Sequence, residues 1–514
     1  MTAQDMQGEE GNMTDLNLYW GELHNHNELG YAQGSLERSY EIARSHLDFY
    51  AFTPHGLHAD GGVPDGYPVV VANWERIRRA AKENNRPGEF TCFPAYEWHS
   101  SAWGHLHVLS AEDMESMYCA RNLADLQDHF RNRQAILVPH HTAYERGVDW
   151  EGFDEALSPV VEIFSEHGSS ERDSGLYPML GHSGGPAGYQ YTVQHGLALG
   201  KRFGLVAGTD NHDGYPGGYG LGLTGIWAEE NSRAALFDAL QKRRTTAVTG
   251  DRIEVCFRAG EAWMGEVMSG PAERRLDYRV EGWDVIKSVE VVRDNLPVHI
   301  EVSDYSAPRV AQSQPYRLRF EWGWGPMKGY QVYDWQGQLR VAGGRLLQIV
   351  PCFSSDPFDE VRRKRVLEWD ERQCAWQSHT SRGSVFTTRN GSTAPRANDA
   401  LCVEVEGTQE TRIELEFDCR TSKSLLATPA DWSLTGKLGG SRTCFSIGEL
   451  LQGRQGWRVD GLPTWIVAHR ALPEVLYALK GHFTDRGEMP TYYYLRVTQE
   501  NGQLAWSSPI WFEE

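Results

Sequence analysis

Among the side chains in the first half of this 514-residue chain whose types hold divalent metals, six stand out: His24, His26, Glu97, His140, Asp210 and His212. Side chains two apart on a strand point the same way. The imidazoles of His24-Asn25-His26 therefore share a face and can chelate one ion at about 2.0–2.1 Å. Asp210-Asn211-His212 repeats that spacing just after the apolar run 204–208. His55 follows the run 49–54, Glu97 ends the run 90–96, and His140 and His141 end the run 135–139. His105 and His107 share one face of the extended piece after Glu97. His140 and His141 are adjacent, so on a regular strand only one of them is expected to face a site. Taken singly, each group has a bland explanation: half-exposed histidines, or an Asp-Asn turn capping a helix. Their shared position at strand ends does not, and it points to a metal centre. His46 and His129 fall on helix-like segments, and His58, His99, His167, His182 and His195 in loops, where structural roles are expected.

The elements that must position these groups alternate. Runs 47–52, 90–96, 135–138, 160–164 and 204–207 read as buried parallel strands. Stretches 35–45, 71–83, 113–133 and 232–243 read as helices, with helical apolar spacing at Trp74, Ile77 and Ala81. Repeated βα units over roughly 250 residues predict a barrel or a doubly wound sheet, whose strand C-terminal ends meet at one mouth. After Gly250 the texture changes to short strands, such as 275–280, 289–292, 316–322, 345–350, 412–417 and 491–497, separated by turn signals. One or two β-sandwiches are expected there. The division read from sequence is a tail over 1–18, an α/β unit over 19–255, a β-sandwich-like unit over 256–340 and a second β-rich unit over 341–514.

Composition narrows the function. The formal net charge of −20 argues against a general nucleic-acid binder and suits a protein that holds cations. Fifteen of the nineteen histidines precede residue 213, which places the chemistry in the first half. The eight cysteines form no Cys-x-x-Cys pair, so free thiols in a reducing compartment are expected. No apolar run approaches the ~18 residues needed to span a membrane, and the polar start lacks a secretory signal, so the expected location is the cytoplasm.

The same residues resemble the PHP (polymerase and histidinol phosphatase) superfamily. The matching stretches are Tyr-Trp-Gly-Glu-Leu-His-Asn-His at 19–26, Tyr-Glu-Trp at 96–98, Pro-His-His at 139–141 and Val-Glu-Ile at 161–163. Gly-Thr-Asp-Asn-His at 208–212, Arg-Arg-Thr-Thr-Ala-Val-Thr-Gly-Asp-Arg-Ile at 243–253 and Ala-Trp-Ser-Ser-Pro-Ile-Trp at 505–511 continue the pattern. Within the superfamily the chain looks most like a long branch with a β-rich C-terminal extension. The resemblance implies a distorted (β/α)7 TIM-like barrel and a phosphoesterase with up to three metals. His24, His26, Glu97 and Asp210 would hold the first ion. Glu97 would bridge to a second, held also by His140 and by His105 or His107. His55 and His212 would serve a third. Two departures make two ions the safer count: Thr53-Pro54-His55 lacks the usual carboxylate beside the histidine, and 29–33 offers no further histidine.

Water on two or three such ions would be the nucleophile, because paired ions both activate water and stabilise charge on the reacting oxygens. The nitrogen and carboxylate donors suit zinc, manganese or iron alike. The expected substrate is a small anionic ester, a phosphomonoester or phosphodiester. Arg252 is the first candidate for a cationic clamp, before Arg172 and Arg244. His212 is a second catalytic candidate. Two other readings stand beside this one: a metal-dependent hydrolase of C–N or C–O bonds, and an inert barrel carried by a binding protein. Glycine-rich loops at 61–66, 181–188 and 214–222 could form a mobile rim. The tryptophans of the β-rich half, Trp322, Trp324, Trp335, Trp376, Trp432, Trp457, Trp465, Trp506 and Trp511, are expected to pack cores or a homo-oligomer contact rather than stack sugars.

Overall fold

The computed structural model describes residues 16–61, 66–145, 147–179, 185–270, 273–305, 313–323, 332–355, 360–381, 398–422, 438–462 and 464–514. The N-terminal tail up to residue 15, loop residues 62–65 and 181–184, and Trp324 and Trp432 lie outside these.

The apolar runs of the first half form short, mostly buried strands. They are β1 (Asn17–Glu22), β2 (Phe49–Ala51), β3 (His55–His58), β4 (Thr91–Phe93), β5 (Ala95–His99) and β6 (Leu106–Ser110). There follow β7 (Ala135–Pro139), β8 (Val160–Ser165), β9 (Gly168–Ser169), β10 (Gly204–Ala207), β11 (Leu223–Ala228) and β12 (Thr245–Val248). Between them lie α1 (Leu36–His46), α2 (Tyr67–Asn84), α3 (Leu123–Phe130), α4 (Val193–Ala198) and α5 (Arg233–Gln241). Side-chain caps set four of the five helix starts. Ser35, Asn122, Thr192 and Ser232 accept the backbone N–H of Arg38, Asp125, His195 and Ala235, satisfying donors that a first turn leaves open.

The expected helix over 113–133 shrinks to α3. The carbonyls of Met114, Tyr118 and Ala120 accept from Trp74 Nε1, Tyr96 Oη and Trp98 Nε1, so this stretch serves buried aromatic donors instead of a helical ladder.

A closed ring of parallel strands is not what the ladders form. β1, β2 and β4 pair in parallel, and β10 pairs in parallel with β8. β5, β6 and β7 are antiparallel, and β1–β11–β12 likewise. The six residues 100–105 between β5 and β6 permit only a hairpin, since a parallel crossover takes about a dozen residues. Three separate sheets result, and side chains join them. Thr224 Oγ1 on β11 donates to the Ala207 carbonyl at 2.7 Å and accepts its N–H at 3.0 Å, tying β11 to β10.

The second half is β-rich as expected. Strands 314–322, 345–352, 399–407, 455–458 and 465–468 make one antiparallel sheet, and strands 332–342, 365–369, 373–381, 412–422 and 438–446 another. Trp322, Trp335, Trp376 and Phe417 are buried together between them, with the Trp322 and Trp376 rings 5.5 Å apart, so these tryptophans are core. Trp506 is fully buried as well, whereas Trp465 is half exposed. Hydrogen bonding crosses the divisions read from sequence. The last strands, 491–499, 504–507 and 510–513, return to the first half, where Thr246 of β12 pairs with Ser507. Residues 353–355 and 360–363 dock on the loops beside α1. Ser35 bonds Glu360 through N at 2.7 Å and Oγ at 2.8 Å, Arg363 bonds Glu41 at 2.8 Å, and Ser355 Oγ donates to Asp213 at 3.3 Å. Among the described residues no helix is long and apolar enough to cross a membrane.

Candidate metal centre

The loops that carry the two spaced pairs are zipped together. Asp210 N donates to the His24 carbonyl at 2.9 Å and His26 N to the Asn211 carbonyl at 3.0 Å. The fully buried carboxylate of Glu22 accepts the N–H groups of His24, Thr209 and Gly217 at 3.0, 2.9 and 3.1 Å. Burial pushes Glu22 up to about 7. Asp210 sits in the left-handed region at φ 53°, a strained setting that Asp tolerates better than most residues and that is common at functional sites.

Around this staple the donors converge. Glu97 is the hub. Its Oε2 lies 3.7, 3.4 and 3.6 Å from Nε2 of His24, His26 and His55. Its Oε1 lies 2.8 Å from His99 Nε2, 3.2 Å from His105 Nδ1 and 2.9 Å from His140 Nε2. Asp210 Oδ1 is 3.1 Å from both His24 Nε2 and His26 Nε2, and its Oδ2 is 2.8 Å from His167 Nε2. His212 Nδ1 is 3.8 Å from the carboxylates of Asp210 and Glu166 and 2.9 Å from the Asp210 carbonyl oxygen. The His107 ring lies 3.9 Å from that of His24 and 4.1 Å from that of His140.

These separations test the fit of a metal. Two ligands of one ion at about 2.1 Å are held about 3.0–3.4 Å apart, depending on whether the angle is octahedral or tetrahedral. The Glu97 Oε2 contacts lie at that spacing or just beyond it. Moreover, Glu97 Oε2, His24 Nε2, His99 Nε2 and both nitrogens of His107 are buried without a hydrogen-bond partner. Buried polar atoms normally find partners, so orphans aimed at a common space fit cations between them. The groups whose donor atoms approach one another are His24 with His26 and Asp210; His24 with Glu97, His107 and His140; Glu97 with His105, His140 and His141; His26 with His55 and His212; and His55 with Glu97 and His99.

Burial pushes His26 and His105 down to about 3, leaving neutral imidazoles with lone pairs to give. Burial also works against a proton on His24, but Asp210 and Glu162 outweigh it and hold that imidazole well above its usual range, so an ion there must displace a proton. Burial works against the charge on Glu97, but His99, His140 and His55 outweigh it and hold the carboxyl well below the usual range. Glu162 accepts from His24 Nδ1 at 2.9 Å, which fixes the tautomer and turns Nε2 inward, as an outer carboxylate does for a liganding histidine. A Cβ on Gly208 would fall 2.5 Å from His24 Cβ and 2.7 Å from Glu162 Oε2. Gly208→Ala is therefore expected to part this pair and weaken metal retention by about 10–100-fold, read by elemental analysis after dialysis against a chelator.

All of His24, His26, His55, Glu97, His105, His107, His140, Asp210 and His212 gather here. Four further residues join them. His141 was expected to turn away from His140, but its φ of 36° ends the strand and breaks the alternation. His99 and His167 were expected to be structural, yet each touches a central carboxylate. Glu162 was quoted only as part of a motif. Strand alternation could have found His99, which lies two residues from Glu97 on β5 and on the same face.

The expected arginine clamp is not formed. Arg252 donates to the His46 carbonyl, Arg244 pairs with Glu266 at 3.3 Å, and Arg172 packs against Gly175. The open side of the cluster carries His105 and His212, each 22% exposed, Glu166, and the exposed ring of Tyr31 stacked 5.5 Å from His55.

Comparison with known proteins gives few names. A family described as a protein of unknown function, DUF3604, matches residues 39–117 and 216–278. An uncharacterized protein of Chlamydia pneumoniae is 30% identical over 313 residues, covering 55% of this chain and 48% of its own. An uncharacterized protein of Chlamydia muridarum is 27% identical over 315 residues, covering 56% and 49%. The chain thus spans about half the length of the curated relatives it matches. Among solved structures, a two-domain protein of Bacteroides vulgatus containing a predicted PHP-like metal-dependent phosphoesterase is 12% identical. It covers 57% of this chain and 81% of that one, with a TM-score of 0.32.

Proposed function

We propose that this chain is a metal-dependent hydrolase acting on a small phosphate mono- or diester. The observation that carries the reading is Glu97, one buried carboxylate facing six imidazole nitrogens, three on each oxygen. His24, His26, Asp210 and Glu97 would hold one divalent ion. Glu97 and His140, with His105 or with His107, would hold a second, and His55 with His212 would serve a third. The ions would supply hydroxide near neutral pH and offset charge on the attacked and leaving oxygens.

The chain's own groups do the rest. Glu162 and Glu22 fix His24 from behind. His212 stands at the open side beside Glu166 and, with two ions bound, would be the group placed to protonate the leaving oxygen. The described cysteines are free thiols, which fits a cytoplasmic enzyme. The α/β unit over 19–255 would carry the chemistry, and the β-rich units over 256–340 and 341–514 would support its loops.

A second reading is hydrolysis of C–N or C–O bonds. It is favoured by the arginines, since Arg252 is engaged by the His46 carbonyl and Arg244 by Glu266. Elemental analysis of the purified chain, then a panel of phosphate mono-, di- and triesters with lactones and amides, separates the two. Phosphate ester turnover lost in His24→Ala by at least about 1,000-fold, about 4 kcal/mol of barrier, is the expected result. Turnover that His24→Ala leaves intact overturns the proposal.

A further inference from the structure

The two sides of Glu97 are not alike. On the Oε2 side the neighbouring donors include the carboxylate of Asp210 beside His24 and His26. On the Oε1 side the neighbours are imidazoles. His99, His105 and His140 stand within 3.2 Å of that oxygen. His141 completes a set with Glu97, His105 and His140 whose donor atoms lie close enough to share one ion. His99 Nε2 is buried at 2.8 Å from Oε1 yet makes no hydrogen bond with it, so the two atoms are not aimed at each other. The stacked His99 and His105 rings lie 4.5 Å apart at an angle of 6°, and each brings a nitrogen within 3.2 Å of the same oxygen.

Ligand type sorts divalent ions. Imidazole suits zinc, copper, iron and nickel, whereas carboxylate-rich sites also accept magnesium and manganese. We infer that the two positions flanking Glu97 are chemically unlike: His105, His140 and His141, with His99 beside them, form an imidazole-dominated site for a zinc-like late first-row divalent ion, and His24, His26 and Asp210 form a mixed site that exchanges its ion more readily. This deepens the proposed metal-dependent hydrolase and rests on it for the presence of ions, but it needs no substrate to be tested. His141 and His99 are the residues that make the difference.

The test uses the full chain stripped of metal and titrated with zinc in excess manganese. The first equivalent of zinc is expected to bind at least about 100-fold tighter than the second. X-ray absorption at the zinc edge, on wild-type protein carrying that one equivalent, is expected to show three or more imidazoles. His141→Ala is expected to weaken the first equivalent at least about tenfold and spare the second, and His26→Ala to do the reverse. Two equivalents of equal affinity, or a first zinc with two imidazoles or fewer, overturn the inference. The wild-type spectrum decides even where a variant fails to fold. Unequal sites without turnover of any ester would sink only the functional reading, and ester turnover with equal sites would sink only this inference.

Discussion

Replacing Glu97 by glutamine is expected to empty the centre rather than trim it. One carboxylate faces His24, His26 and His55 through one oxygen, and His99, His105 and His140 through the other. An amide keeps the shape but offers one acceptor and a donor NH2, so one side loses its oxygen and all its negative charge. Burial already disfavours ions that are not compensated, and two dications between neutral imidazoles would rest on Asp210 alone. Bound metal is expected to fall from at least two equivalents to well below one. Hydrolytic turnover is expected to fall by at least about 1,000-fold, equivalent to about 4 kcal/mol. Elemental analysis after gel filtration and an assay on the ester that wild type turns over read the two effects together. A Glu97→Gln protein that keeps two equivalents of metal and full turnover would show that Glu97 is no bridge. Glu97→Asp shortens the arm by one methylene and should retain one side only, giving an intermediate metal count.

Much of this centre was legible in the sequence because period-two alternation and strand ends are local properties. His24, His26 and Asp210 needed no partner to be noticed, and each lies at the end of an apolar run. His167 and Glu162 were not legible for a different reason. Their role depends on β8 lying beside β10 and on the short return of β9, which brings the loop at 165–168 over Asp210. No local pattern encodes that return. His141 was misjudged because alternation holds only while the strand continues, and a left-handed residue ends it. The barrel failed in a similar way. Buried runs such as 91–93 and 106–110 look alike whether they pair in parallel or antiparallel, since both faces are covered in either case. The discriminating fact was the six-residue link between β5 and β6, a matter of loop length rather than apolar pattern. Sequence texture also placed the last strands with the β-rich half, whereas they complete a sheet begun at β1 and extended through β12.

That return of the C-terminus gives the second large effect. Arg496, on the strand 491–499, is 7% exposed and donates to Glu171 Oε1 and to Glu290 Oε2, both at 2.7 Å. Tyr494 Oη donates to the same Glu171 oxygen at 2.8 Å and accepts from Gln194 Nε2 at 3.0 Å. Glu171 lies four residues beyond His167, so the far end of the chain anchors the loop that lays His167 against Asp210. Removing one partner of a buried ion pair strands the other charge, at a cost of about 3–5 kcal/mol. Arg496→Met is therefore expected to lower the unfolding free energy measured by chemical denaturation by an amount of that order. Arg496→Lys should restore little of it, since an ammonium cannot reach two carboxylates with the guanidinium's fixed fork. Arg496→Met combined with Glu171→Gln is expected to recover about half or more of the loss, because the stranded charge is gone. Hydrogen exchange of residues 166–171 should rise in Arg496→Met beyond the global change, and metal retention should fall with it. An Arg496→Met protein as stable as wild type, with the 166–171 backbone equally protected, would leave the β-rich half without a part in holding the centre.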